Sequence, residues 1–133
     1  MKYLLDTNIL FDTKINKLPR RDDLFIIQDV ATEIKNHQVE ITKIKNGEIK
    51  VLDVNKKHLD KLVEVMAKHG GNLKLINLYT GKGTADVVIV AYILAERDNS
   101  GTLFPEEYVL LTRDVELISI AECYGIKHAQ TLN

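Results

Sequence analysis

Nine consecutive apolar residues, Val87 to Ala95, follow directly on Asp86 in the stretch GKGTADVVIVAYILAERD. A segment apolar on every side is stable only inside a core. At nine residues it is too short to span a bilayer. The spacing predicts a buried helix over 84–97 with a carboxylate at its mouth, where removal from water is expensive. One explanation is local: Thr84 can cap the helix, and an acid in the first turn suits the macrodipole.

Short apolar runs ending in polar turns read as buried strands at 2–6 (KYLLD), 24–28 (LFIIQ), 49–54 (IKVLDV), 108–112 (YVLLT) and 126–129 (IKHA). Helical periods lie between them. Val30, Ile34, His37, Ile41 and Ile44 follow one spacing, and Leu59, Leu62, Val63 and Met66 make a stripe closed by Gly70 and Gly71. A last helix is expected over 115–124, ended by Gly125. Strands alternating with helices predict an α/β fold with a parallel sheet. Its 133 residues are read as one domain, 1–133. The segments 11–23 and 72–83 are read as a polar connection and as a short helix and loop.

A single cysteine, Cys123, leaves no internal disulfide and no cysteine zinc site, and suits a reducing cytoplasm. The apolar stretch before Asp6 is too brief for a signal-peptide core. A cytoplasmic protein with no membrane segment is therefore expected. The formal net charge of -1 neither announces nor excludes a nucleic-acid partner, since a local basic patch suffices.

Position in the α/β frame separates four acids from the surface majority. Ligands of open parallel sheets bind beyond the carboxyl ends of the strands, where strand order reverses. Asp6 ends the first strand, and Asp114 follows the fourth after a single residue. Glu33 sits just after the second strand, and Asp86 opens the buried helix before the fourth. If the first and fourth strands are neighbours, all four carboxylates converge on one edge. Such a pool repels itself unless an external cation joins it, and hard divalent ions, Mg²⁺ or Mn²⁺, suit oxygen donors.

The motifs LLDTNIL, VATEI, GTADVVIVAYILA and LLTRDVELISIAECYGI, in that order, resemble the PIN domain family over nearly the whole chain. The resemblance implies a three-layer α/β/α sandwich around a five-stranded parallel sheet of order 3-2-1-4-5. It implies a metal-dependent ribonuclease in which Asp6, Glu33, Asp86 and Asp114 form an acidic quartet holding Mg²⁺ or Mn²⁺. Asn8 and Thr112 are its implied supporting groups, orienting carboxylates, and Glu116 is a candidate further acid. The implied reaction is hydrolysis of an RNA phosphodiester to a 5′-phosphate and a 3′-hydroxyl. Arg113 and Lys82 are candidates for the RNA backbone, ahead of Lys14, Lys17, Arg20 and Arg21. With five tyrosines, three phenylalanines and no tryptophan, no base-stacking platform is evident, and Tyr79 reads as packing.

Like other single-domain members of the VapC type, the chain is expected to be a homodimer and the toxin of a toxin–antitoxin pair. The alternatives are a ribosomal-RNA-processing nuclease of the same superfamily and a non-catalytic PIN-like binding module. Other motifs fall away. YTGKGT lacks the earlier glycine of a phosphate-binding loop, since that position is Ile76. Asn8 stands where an aspartyl phosphatase needs a second acid, and no glycines follow the first strand for a dinucleotide turn. The four histidines show no ligand spacing and read as surface or core-edge residues. Cys123 reads as packed, and Asp29 as a helix cap.

Overall fold

A computed structural model of the chain describes residues 2–11, 15, 19, 21–38, 41–69, 84–98 and 107–131, with the backbone alone at 69 and 84–86. The apolar runs become strands β1 (Lys2–Leu5), β2 (Leu24–Ile27), β3 (Lys50–Leu52), β4 (Tyr108–Leu111) and β5 (His128–Ala129). Each is trimmed at its ends relative to the run that announced it. The polar residues Asp6, Gln28, Asp53 and Thr112 all fall just beyond the strands.

The sheet has the order β3-β2-β1-β4-β5, and every pairing is parallel. β2 and β4 are buried at every position, as strands covered on both faces must be. β1 lies between them, with Leu4 opposite Phe25 and Leu110, and Leu5 opposite Leu111. The edges are short: β3 is three residues long, two of them exposed, and β5 has two residues. The chain leaves β1 for β2 on one side and returns beside β1 as β4, so strand order reverses between β1 and β4.

Six helices complete the described residues: α1 (Thr7–Leu10), α2 (Gln28–Asn36), α3 (Thr42–Lys45), α4 (Lys56–His69), α5 (Thr84–Arg97) and α6 (Val115–Cys123). Residues 87–95 of α5 are all buried, as the apolar run requires. At about 1.5–3 kcal/mol for each fully buried aliphatic or aromatic side chain, this helix is a major contributor to the core. Thr84 is taken into α5 as its first residue rather than preceding it as a cap.

Further sequence expectations are corrected, among them the reading of all four histidines as surface or core-edge residues, since His58 is fully buried. The single helical period from Val30 to Ile44 is two helices, because the chain turns at Gln38, whose φ is +57°. Asp29 lies in the first turn of α2, but the cap position is Ile27 and no side chain bonds it. The stripe on α4 is only partly buried: Leu59 is 49% and Val63 67% exposed, while Val65 and His58 are buried. Cys123 is exposed, since α6 buries Leu117, Ile120 and Ala121 on another face.

His58 can be buried because both ring nitrogens are satisfied. The Asn55 N–H donates to Nδ1 at 2.9 Å, so Nε2 carries the proton and donates to Glu96 Oε1 at 2.9 Å. The ring stacks on Tyr92 with centroids 4.1 Å apart. Burial, with Tyr108 and Glu96 close by, pushes the Tyr92 phenol well above its ordinary value. Burial alone raises the Glu96 carboxyl, but hydrogen bonds from His58 and Lys57 outweigh it and hold the group below its ordinary value. This polar knot ties α4 to α5.

α6 stops as expected. Gly125 adopts φ +66°, its N–H bonds Glu122 O, and the Ile126 N–H reaches back to Ala121 O at 2.9 Å. That pair of bonds caps the helix end and turns buried Ile126 toward the core.

Candidate functional site

Three of the five buried polar residues among those described, Asp6, Thr7 and Thr112, lie together at the carboxyl edge of the sheet, beyond β1 and β4. Asp6 is held there by its neighbours in sequence and in space. Its N–H donates to Leu111 O at 2.9 Å, extending the β1–β4 ladder by one step. Its side chain caps α1: Oδ1 accepts from the Thr7 N–H at 2.7 Å. Oδ2 accepts from Thr112 Oγ1, also at 2.7 Å. A carboxylate at 2% exposure is tolerable because both oxygens are hydrogen-bonded.

Thr112 carries the link to the next acid. Its hydroxyl donates to Asp6 and accepts from the Asp114 N–H at 3.1 Å. Asp114 is the cap of α6, where Oδ1 accepts from the Glu116 and Leu117 N–H groups at 2.9 and 3.3 Å. Among the described residues nothing bonds its Oδ2. Asn8 closes the same corner, its Oδ1 accepting from the Arg113 N–H at 3.3 Å.

Glu33 joins from α2. Its Oε2 accepts from Thr7 Oγ1 at 3.0 Å. Asp6, Asp114 and Glu33 are thus coupled through two threonine hydroxyls, although 106 positions separate Asp6 from Thr112 and 26 separate Thr7 from Glu33. Thr7 was not singled out in the sequence. Its only local signal is its place directly after the capping acid, and its partner is visible only in space.

The remaining candidates divide. Asp86 is the third residue of α5; its side chain lies outside the described residues. Glu116 sits in the first turn of α6, and its Oε2 is buried with no hydrogen-bond partner. Arg113 is exposed beside Asp114. Lys82, Lys14, Lys17, Arg20 and Tyr79 lie outside the described residues. Arg21 is committed elsewhere: Nε and Nη2 bond the two carboxylate oxygens of Asp23 at 2.9 and 2.8 Å, and the guanidinium stacks over Tyr3. It lies before β2, at the amino edge of the sheet, and Asp23 raises its pKa still further. That edge is opposite the one where Asp6 and Asp114 lie.

Among the described residues no three of His, Cys, Asp and Glu gather tightly enough to form a metal cage. The chemistry of the donor set nevertheless fits a hard divalent cation. It consists of carboxylate oxygens. One of them, Glu116 Oε2, is buried without a partner, a costly state unless a cation or donor answers it. Asp6 Oδ2 accepts from the Thr112 hydroxyl, and that hydroxyl in turn accepts from the backbone N–H of Asp114.

The chain was compared with protein-family models, with curated proteins and with solved structures, and no significant match was found in any of the three. Its function is therefore argued from its own residues.

Proposed function

We infer that this chain is a metal-dependent ribonuclease of the PIN type, with its helices arranged on both faces of the sheet. The observation that carries the reading is the Asp6–Thr112–Asp114 coupling at the reversal between β1 and β4, joined to Glu33 through Thr7. Open α/β sheets bind ligands at that place, and acids ordered there by hydroxyls are arranged as ligands with their supporting groups. The four motifs on which the family resemblance rests contain all of these residues except the spatial contacts themselves.

Asp6 and Asp114 would be the principal holders of Mg²⁺ or Mn²⁺, with Glu33, Asp86 and Glu116 completing the acidic wall. The ion, when bound, supplies a Lewis acid for the scissile phosphate and a water acidic enough to attack it. The protein's own contribution is orientation. The Thr112 hydroxyl bonds Asp6 Oδ2, and the cap bonds of α6 fix Asp114 Oδ1 while leaving Oδ2 without a bond among the described residues. The Thr7 hydroxyl steers Glu33. Arg113, exposed beside Asp114, offers a cation for the RNA backbone, and Lys82 is proposed beside it.

The test is cleavage of a single-stranded RNA by the purified chain. Activity is expected with Mg²⁺ or Mn²⁺, and its loss is expected in EDTA, in Asp114→Asn and in Asp86→Asn. A wild-type chain that leaves RNA intact, or an Asp114→Asn variant that still cuts, overturns the reading. The toxin role adds a cellular test: expression should arrest growth, and Asp114→Asn should relieve the arrest. The dimer is proposed through α4, where Leu59 and Val63 are exposed; sedimentation giving only monomer removes it. The other reading is a non-catalytic binding module. Such a module would bind RNA without consuming it.

A further inference from the structure

We propose that Phe11 and His37 form a nucleobase-binding step beside the acids, on which one base of a single-stranded RNA stacks while its phosphate meets the cation that the acids would hold. The proposal rests on the RNA-binding reading above and gives it a substrate contact that the sequence does not announce.

The geometry is a two-rung ladder between α1 and α2. The first rung is Thr7 Oγ1 to Glu33 Oε2 at 3.0 Å, within the acid cluster. Phe11 stands four residues after Thr7, and its N–H bonds Thr7 O at 3.2 Å. His37 stands four residues after Glu33, and its N–H bonds Glu33 O at 3.1 Å. The second rung is therefore one helical turn, about 5 Å, beyond the first. There the two rings meet edge to face, with centroids 5.6 Å apart and planes at 88°.

Among the described residues this pair differs from the other ring–ring contacts in being open. Phe25, Tyr92 and Tyr108 meet one another in the core, with 5–6% exposure each. Phe11 is 41% exposed, and His37 is exposed as well. A large ring left in water is unfavourable on its own account, and an edge-to-face partner holds its plane fixed without covering it. A half-open aromatic surface one turn from the Thr7–Glu33 bond has the form of a stacking platform for a base. Such stacking accepts every base and favours those with the larger π surface.

The experiment measures anisotropy of fluorescein-labelled oligoadenosine and oligouridine on the full chain with Ca²⁺ in place of Mg²⁺ or Mn²⁺, with steady-state cleavage in Mn²⁺ alongside. Oligoadenosine should bind more tightly than oligouridine. Phe11→Leu should weaken oligoadenosine roughly tenfold and narrow the difference between the two, while Phe11→Tyr should keep the wild-type affinity. In cleavage, Phe11→Leu should raise KM more than it lowers kcat. The proposal is overturned if the wild type binds neither oligonucleotide, if Phe11→Leu binds like the wild type, or if Phe11→Tyr fails as Phe11→Leu does. Binding that follows Phe11 without any cleavage sinks the nuclease reading and leaves the platform standing. Metal-dependent cleavage indifferent to Phe11 does the reverse.

Discussion

Thr112 Oγ1 lies 2.7 Å from Asp6 Oδ2, joining the residue after β4 to the residue after β1 across 106 positions of chain. The same hydroxyl accepts the Asp114 N–H. One fully buried residue therefore ties the side chain of one acid to the backbone of the other.

Thr112→Val keeps the shape of the side chain and removes both bonds. It leaves Asp6 Oδ2 and the Asp114 N–H unpaired in a buried place, so unfolding in urea should show a loss of about 1–3 kcal/mol. Cleavage should fall further than stability does, because the fold persists while the carboxylates drift. Thr112→Ser, which restores the hydroxyl, should recover most of both. Equal losses in the serine and valine variants would mean that the methyl, not the hydroxyl, matters.

Glu96 gives the fold a pH dependence with a definite sign. Its carboxyl is held below its ordinary value of 4.5 despite burial, because His58 and Lys57 bond it. A depressed acid stabilises the fold fully above its unfolded pKa and ceases to do so as the pH falls through the folded value. The wild type should exceed Glu96→Gln in stability by about 1–2 kcal/mol at neutral pH. That difference should shrink as the pH drops below 4.5. Parallel stability profiles from pH 7 to pH 3 (roughly 7 and 3 bracketing the Glu range) would contradict the assignment.

Gly125 occupies the left-handed region at φ +66° with nothing within 4 Å of the place a Cβ would take. The penalty for alanine there is thus conformational rather than steric. Gly125→Ala should lower stability by about 1 kcal/mol in thermal or urea unfolding, without changing the metal response. A neutral substitution would mean that α6 is not ended by the Ala121–Ile126 bond.

Much of the fold was legible because burial on both faces leaves a plain mark. LFII and YVLL could be little else than inner strands, and the all-apolar run at 87–95 could only be a core helix. Asp6 and Asp114 were legible by position alone, at strand ends where α/β sheets place ligands. What escaped were pairings that sequence distance hides. Thr7 looks like any residue between two polar ones until Glu33 is brought against it from another helix. His58 looks like a surface histidine on a charged helix until Glu96 arrives to accept the hydrogen bond from its Nε2–H. The period from Val30 to Ile44 misled for a different reason: Ile41 and Ile44 pack on the same core as Val30 and Ile34. The spacing therefore survives a turn that the backbone does not.

The most direct measurement is the melting temperature of the chain titrated with Mn²⁺, in the wild type and in Asp6→Asn. Asparagine can still cap α1, so the variant should fold. If the acids at the β1–β4 edge hold a cation, the wild type should gain roughly 10 °C at about a hundred times the dissociation constant, and Asp6→Asn should gain nothing. A wild type whose melting is untouched by Mn²⁺, or a variant that gains as much, would contradict the account.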